Sequence, residues 1–137
     1  MGKITEIRNF ASLVAGEHVT IARERDCWSM GMGSPKPRLI LPFDLDENDD
    51  DDKAFRRDFE SRCPLARGFA NVTLSILHEL GHHFNREVFL CSKVNEEDYE
   101  SHFALPYEIV ATDWAIQWLQ DPIHRKQAKA FERAYFA

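Results

Sequence analysis

The sequence predicts an α+β fold in which a small antiparallel sheet packs against a mainly helical core. Short apolar runs with the character of strands occur only in the first third of the chain, at 19–22 and 38–43. Helical patterns of apolar residues fill most of the chain after residue 52. Strands that are followed by a run of helices are typical of an α+β protein.

Length and composition indicate one domain, residues 1–137. Hydrophobic residues make up 44% and charged residues 29% of the chain, which is ordinary for a soluble globular protein. No apolar run approaches the roughly 18 residues that a membrane span needs, so no membrane association is expected. The N-terminal segment lacks the apolar stretch of a signal peptide, which predicts a cytoplasmic protein.

The first elements follow from apolar spacing and from breakers. Residues 4–14 have helical spacing, and residues 19–22 form a short β-branched run. Residues 28–37 are rich in glycine and proline and predict a loop. Residues 38–43 carry the clearest strand pattern. Because Pro42 cannot donate to a ladder, this strand is expected at the edge of the sheet.

The remainder is predicted to be helical. Helices are expected over residues 53–62, 68–85, 106–120 and 122–135, with a short turn at 96–101. Pro106 lies well in the first turn of its helix, where its missing N–H has no partner to lose.

An acidic run divides the strands from these helices. Seven of the nine residues from 44 to 52 are acidic, and the rest of the chain is close to neutral. This run predicts a self-repelling loop that keeps the protein in solution or selects basic peptides. It lacks the glycine and the glutamate that a calcium-binding loop requires at positions 49 and 55. No basic stripe appears, so no nucleic-acid partner is expected.

The cysteines indicate a reducing compartment. Cys27, Cys63 and Cys91 are odd in number, far apart and without a CxxC pair, which disfavours both a disulfide framework and a thiolate zinc site. Each is expected to be a small buried apolar side chain.

The motif that carries chemistry is HExxH, from His78 through Glu79 to His82. On a helix the two histidines share one face, opposite an apolar face. That apolar face comprises Phe69, Val72, Thr73, Ile76, Leu80 and Phe84. Imidazoles at i and i+4 can bind one Zn²⁺, and Glu79 can take a proton from a water on that ion. Gly81 leaves the helix surface bare, so another element can approach closely.

A catalytic zinc site needs a third protein ligand. Glu100, His102, Glu108 and Asp113 are the candidates, and Glu108 is preferred. It shares a helix face with two alanines, which permits close helix packing, whereas Asp113 points roughly 140° away from it.

Three residues are candidates for stabilising an oxyanion during catalysis. These are His102, Tyr99 and Tyr107, each of which can donate a hydrogen bond. The sequence leaves the choice among them open, and it also leaves His102 as a rival metal ligand.

The HELGH motif, followed 26 residues later by Glu-x-x-Ala at Glu108, resembles the gluzincin zinc peptidases. The compact ImmA/IrrE-type enzymes and the minigluzincins are the most similar branches, and phage-exclusion peptidases of the Lit type are a further comparison. The resemblance implies a zincin-type core with His78, His82 and Glu108 on zinc and Glu79 as general base. It also implies that strand 38–43 is the sheet edge that pairs with an extended substrate.

The chain departs from this family after the ligand glutamate. The family commonly has an amide or acid four residues after the ligand glutamate, and here Thr112 stands there, with Asp113 beside it. That group orients a ligand histidine, and Thr112 can still hydrogen-bond.

We therefore expect a zinc-dependent endopeptidase that hydrolyses a protein or peptide substrate. One alternative is a non-catalytic zinc-containing binding module, in which four protein ligands close the site. A second alternative is zinc-dependent hydrolysis of something other than a peptide. No feature of the sequence indicates the oligomeric state.

Overall fold

The computed structural model describes residues 2–25, 27–32, 35–45, 50–90 and 95–137. Helices dominate, which confirms the α+β class. The helices and strands are α1 (Lys3–Ala15), β1 (Thr20–Arg25), β2 (Ser29–Met30), β3 (Arg38–Pro42), α2 (Asp50–Arg62), α3 (Asn71–Phe84), α4 (Arg86–Leu90), α5 (Pro106–Leu119) and α6 (Pro122–Tyr135). Short 3₁₀ turns lie at Pro64–Gly68, Glu96–Asp98 and His102–Ala104.

Helix boundaries follow the local signals that the sequence contains. Gly16 ends α1 with φ of 74°, a left-handed conformation that glycine adopts without a Cβ clash. The Asp121 side chain accepts a hydrogen bond from the Ile123 N–H and begins α6, with Pro122 in the first turn. These boundaries agree with the prediction because caps act within one turn of the chain. The start predicted at residue 68 was wrong, since a 3₁₀ turn ends there and α3 begins at Asn71, and α4 was not predicted.

The sheet is mixed, so the expectation of an antiparallel sheet was wrong. Its strand order is β1-β3-β2. β1 pairs with β3 in parallel, with Thr20 opposite Arg38, whereas β2 pairs with β3 antiparallel, with Met30 opposite Leu39. The connection that leaves β1 folds back as β2 before it enters β3. A strand pattern in sequence does not reveal which neighbour it pairs with.

The prediction that residues 38–43 form an edge strand was also wrong, because β3 lies at the centre. Pro42 tolerates this position because it lies at the end of β3, opposite Arg25 and beyond the residues that pair with β2. Proline at a strand end removes no needed ladder hydrogen bond. β2, which falls in the predicted loop 28–37, is an edge of this sheet instead.

The acidic run is not entirely a loop. α2 begins at Asp50, so the prediction was wrong for residues 50–52, and residues 46–49 lie outside the described residues. Carboxylates in the first turn of a helix are favoured by its dipole, which accounts for a helical start in so acidic a stretch.

α3 is the central element of the core. Every residue from Val72 to His83 is buried, and α5, α1, α2 and the sheet all pack around the helix. Phe84, which was expected in the core, is instead 43% exposed and stacks on Trp114 with ring centroids 5.1 Å apart. Within the described residues, no helix is both long and apolar enough to cross a bilayer.

The N-terminus of α3 is capped from outside the helix. Glu132 of α6 accepts hydrogen bonds from the Ala70 N–H at 2.7 Å and from the Thr73 hydroxyl at 2.6 Å. These bonds occupy a donor that has no partner inside the helix. They also tie α6 to the start of the helix that carries the HExxH motif.

Candidate metal centre

Helices α3 and α5 approach each other at backbone contact beside the HExxH motif. A Cβ atom on Gly81 would lie 2.3 Å from the carbonyl oxygen of Ala111, closer than real atoms approach. Ala111 and Ala115 are fully buried in the same interface. The close approach expected at Gly81 is therefore confirmed, and it brings α5 within reach of both histidines.

Glu108 lies between the two imidazoles of the motif. Its Oε2 is 2.9 Å from Nε2 of His78, and its Oε1 is 3.0 Å from Nε2 of His82. Glu108 and His78 are 30 residues apart in sequence. The structure therefore brings together the three residues that the sequence analysis proposed as ligands.

The histidine face is buried rather than open. His78, His82 and Glu108 are 5%, 8% and 7% exposed. Helix α5 covers the face of α3 that lies opposite its apolar face, which the helical pattern alone placed away from the core. Burial alone would raise the pKa of Glu108, but hydrogen bonds from His102, His78 and His82 hold it well below its usual range. Burial opposes the charge on His82, and the hydrogen bond to Glu108 nevertheless raises its pKa.

Thr112 supports His78 from the side opposite Glu108. Its hydroxyl oxygen is 2.9 Å from Nδ1 of His78. A hydroxyl can donate or accept, so Thr112 can orient the ring in either tautomer. Asp113, the next residue, is exposed and pairs with Arg62 of α2. Thr112 therefore holds the His78 ring at Nδ1, and Asp113 faces outward.

Glu79 lies beside the histidine pair. The ligand atoms of His78, Glu79 and His82 lie within 4.8 Å of one another. The Glu79 side chain is buried, and that burial raises its pKa above the usual value.

The three candidates for the oxyanion role occupy different positions. His102 is exposed, its Nε2 lies 3.4 Å from Oε1 of Glu108, and the hydrogen bond to Glu108 raises its pKa. The Tyr107 hydroxyl donates instead to Glu96 at 2.9 Å, and partial burial raises its pKa to about 12. Tyr99 lines neither of the two cavities at the site.

Within the described part of the chain, two cavities share lining residues at the cluster, Glu79 among them. One, of about 500 Å³, is walled by Trp28, Phe55 and Phe103, and we call it the aromatic arm. The other, of about 380 Å³, is lined by Met30, Met32 and Tyr107 and is called the methionine arm. Five residues line both arms: Cys27, Trp28, Glu79, His102 and Glu108. The arms therefore form one groove that crosses the cluster.

Sequence reasoning missed most of the groove. Trp28, Phe55 and Phe103 lie on three separate segments, and no periodic pattern links them. Cys27 is exposed, so the expectation of a buried side chain was wrong for it, whereas Cys63 is buried as expected. Cys91 lies outside the described residues.

The chemistry of the donor set fits a divalent metal ion. Two imidazole nitrogens and one carboxylate form the protein part of many catalytic zinc sites. Here they converge in a buried cluster. The imidazole nitrogens and carboxylate oxygens that hydrogen-bond to one another are also the atoms that would bind a cation. Comparisons with protein-family models, with curated proteins and with solved structures find no match for this chain.

Proposed function

We propose that the protein is a zinc-dependent endopeptidase. The observation that carries the proposal is the position of Glu108, within 3.0 Å of Nε2 of both His78 and His82 from a different helix. These three side chains would hold the ion. When bound, zinc supplies Lewis-acid polarisation of a carbonyl and a lowered pKa for a water ligand.

Glu79 is the general base in this proposal. It lies beside the donor atoms of the two histidines and faces both arms of the groove. A carboxylate in this position takes the proton of the attacking water and transfers it to the leaving amine. The Glu79 carboxylate is close enough to both histidines to share a metal ion, and in this proposal Glu108 takes the third ligand position while Glu79 acts on the attacking water.

His102 is the residue we assign to oxyanion stabilisation. It lines both arms, and its side chain is 57% exposed to the groove and solvent. Tyr107 already donates its single O–H to Glu96, whereas a protonated His102, which contacts Glu108 through Nε2, has a second N–H at Nδ1. An imidazolium beside the reacting carbonyl donates a hydrogen bond where negative charge develops.

The backbone of an extended substrate would pair with β2 rather than with β3. Since β3 is the central strand, it has neighbours on both sides. Ser29 and Met30 of β2 line the methionine arm, so the edge strand runs beside the groove. Addition of a peptide to a sheet edge is a general mode of peptide recognition. A cytoplasmic target protein in a reducing compartment is part of the same proposal.

A closed, non-catalytic zinc site is the second candidate. The observation that favours it is the 3.4 Å distance between Nε2 of His102 and the Glu108 oxygen that also binds His82. If His102 were a fourth ligand, no position would remain for water. A substitution of His102 by Ala separates the two functions: the peptidase keeps its zinc affinity and loses rate, whereas the closed site loses affinity.

The deciding experiment measures zinc content and peptide hydrolysis together. We expect about one zinc ion per chain in the wild type and in Glu79→Gln, because Glu79 is not a ligand. Hydrolysis should fall by about a hundredfold or more in Glu79→Gln. His82→Gln should lose zinc, whereas His83→Gln, at the neighbouring buried histidine, should retain it. Equal hydrolysis by the wild type and Glu79→Gln would refute the peptidase.

A further inference from the structure

We propose that the aromatic arm is a specificity pocket that selects a large aromatic side chain next to the scissile bond of the substrate. This inference rests on the proposed peptidase function, since the pocket is defined by its position at the cluster. The arm begins at Glu79 and Glu108 and extends along α3 past His78 to Ser75. A side chain that enters it therefore belongs to a residue adjacent to the reacting carbonyl.

The walls of the arm are aromatic and supported by the core. The Phe55 ring packs edge-on against the buried Phe59 at 5.8 Å and against the His78 ring at 5.3 Å. Its centroid lies 6.2 Å from that of Phe103. Aromatic rings at these separations attract one another, and a further ring that enters the arm can make the same contacts.

Volume and charge narrow the class of side chain. About 500 Å³ is within the range of pockets that enclose small ligands, so an aromatic side chain fits. Asp52 and Glu79, neither of which is a proposed zinc ligand, also line the arm, which disfavours an acidic side chain through like-charge repulsion. The methionine arm lacks the Phe55 and Phe103 walls, so the preference should hold on one side of the scissile bond only.

The first test is cleavage-site profiling with the zinc-loaded protein on a mixed peptide pool, followed by matched peptides that differ at one position. We expect enrichment of Phe, Tyr or Trp at one position beside the cleaved bond. A peptide with Phe there should have a kcat/KM about 10- to 100-fold above that of its Ala counterpart.

The variant Phe103→Ala tests whether the Phe103 ring contributes to the preference for an aromatic side chain. It should reduce the ratio of kcat/KM for the Phe and Ala peptides towards one, because the contact surface for the aromatic ring is lost. The ratio is the readout because a displaced His102 would slow both peptides equally. Phe84→Ala is the control, since Phe84 is an exposed phenylalanine that lines neither arm. Its ratio should equal that of the wild type.

A second measurement does not depend on catalysis. N-acetyl-phenylalanine amide and N-acetyl-alanine amide are titrated into the metal-free protein, and the indole N–H resonance of Trp28 is followed by NMR. The Phe probe should shift this resonance and the Ala probe should not. Because Trp28 also lines the methionine arm, the shift should be lost in Phe103→Ala, whose altered residue lines only the aromatic arm. Cleavage without side-chain preference, or equal shifts with both probes, would overturn the specificity pocket but would not contradict the proposed peptidase function. Absence of any cleavage, with a selective shift, would refute the peptidase and retain the pocket.

Discussion

The two sides of the groove are built in different ways. On one side, α3 and α5 are packed so closely that Gly81 touches the backbone of Ala111, and the three proposed ligands are buried. On the other side, the 3₁₀ turns Glu96–Asp98 and His102–Ala104 contain no buried residue. The proposed donor atoms are therefore positioned by helix packing, whereas His102 and Phe103, which would meet a substrate, lie on a turn without buried residues.

The largest effect should come from breaking the helix contact. In Gly81→Ala, the added Cβ would overlap the Ala111 carbonyl oxygen, so α3 and α5 must separate. We expect the free energy of unfolding to fall by about 3 kcal/mol in chemical denaturation, with loss of zinc binding. Gly68→Ala is the matched control, because nothing lies within 4 Å of its added Cβ. Equal stability of the two variants would contradict a packed helix pair.

The second-largest effect is expected at Thr112, the residue that orients the His78 ring, and it concerns zinc affinity. Thr112→Val removes the hydroxyl that lies 2.9 Å from Nδ1 of His78 and preserves the volume. We expect zinc affinity to fall by about 10- to 100-fold in a competition titration with a chelator, as for other groups that orient a ligand histidine. Thr112→Ser keeps the hydroxyl and should bind zinc like the wild type. A Val variant with wild-type affinity would show that Thr112 does not orient the ligand.

A smaller effect is expected at the far end of α3. Glu132→Gln weakens the acceptor for the Ala70 N–H and the Thr73 hydroxyl, so the helix loses part of its cap. The free energy of unfolding should fall by about 1 kcal/mol, measured by thermal or urea unfolding. Zinc affinity should not change, because the cap lies at the end of α3 opposite the ligands. Glu87→Gln, at an exposed glutamate of α4, is the control.

The smallest effect should be on the outer face of α5. Asp113→Asn breaks the ion pair with Arg62, but the Asp113 side chain is 61% exposed. Exposed pairs contribute about 0.5 kcal/mol, and we expect a loss of that size in the same unfolding assay. Thr112→Val is the informative counterpart, since the two residues are neighbours on one helix but Thr112 is buried against His78 and Asp113 is exposed. A large loss of zinc affinity in Asp113→Asn would contradict it.

Much of the local structure was predictable. The bounds of α6 and the start of α5 agree with the pattern of the sequence, since Pro106, Asp121 and Pro122 act within one helical turn. The spacing of His78 and His82 requires one shared helix face, and two alanines beside Glu108 favour close packing. These features depend only on the geometry of a single helix and its ends.

Pairing between distant segments was not predictable in the same way. The edge position expected for 38–43 was wrong because strand order depends on how the connection through β2 folds. The burial of the histidine face depends on where α5 packs, and the cap on Ala70 is supplied by a residue 62 positions later. No local propensity encodes these contacts.

The pattern of apolar residues and breakers specifies α1, α5 and α6, the face that the two histidines share and the bare surface at Gly81, because a helix repeats every 3.6 residues wherever it lies. Tertiary packing brings Glu108 to both imidazoles, places Thr112 beside one of them and makes Trp28, Phe55 and Phe103 the walls of a single cavity. Those contacts join residues far apart in the chain. They form only in the one arrangement of the helices that buries the most apolar surface, so they cannot be inferred from any single segment.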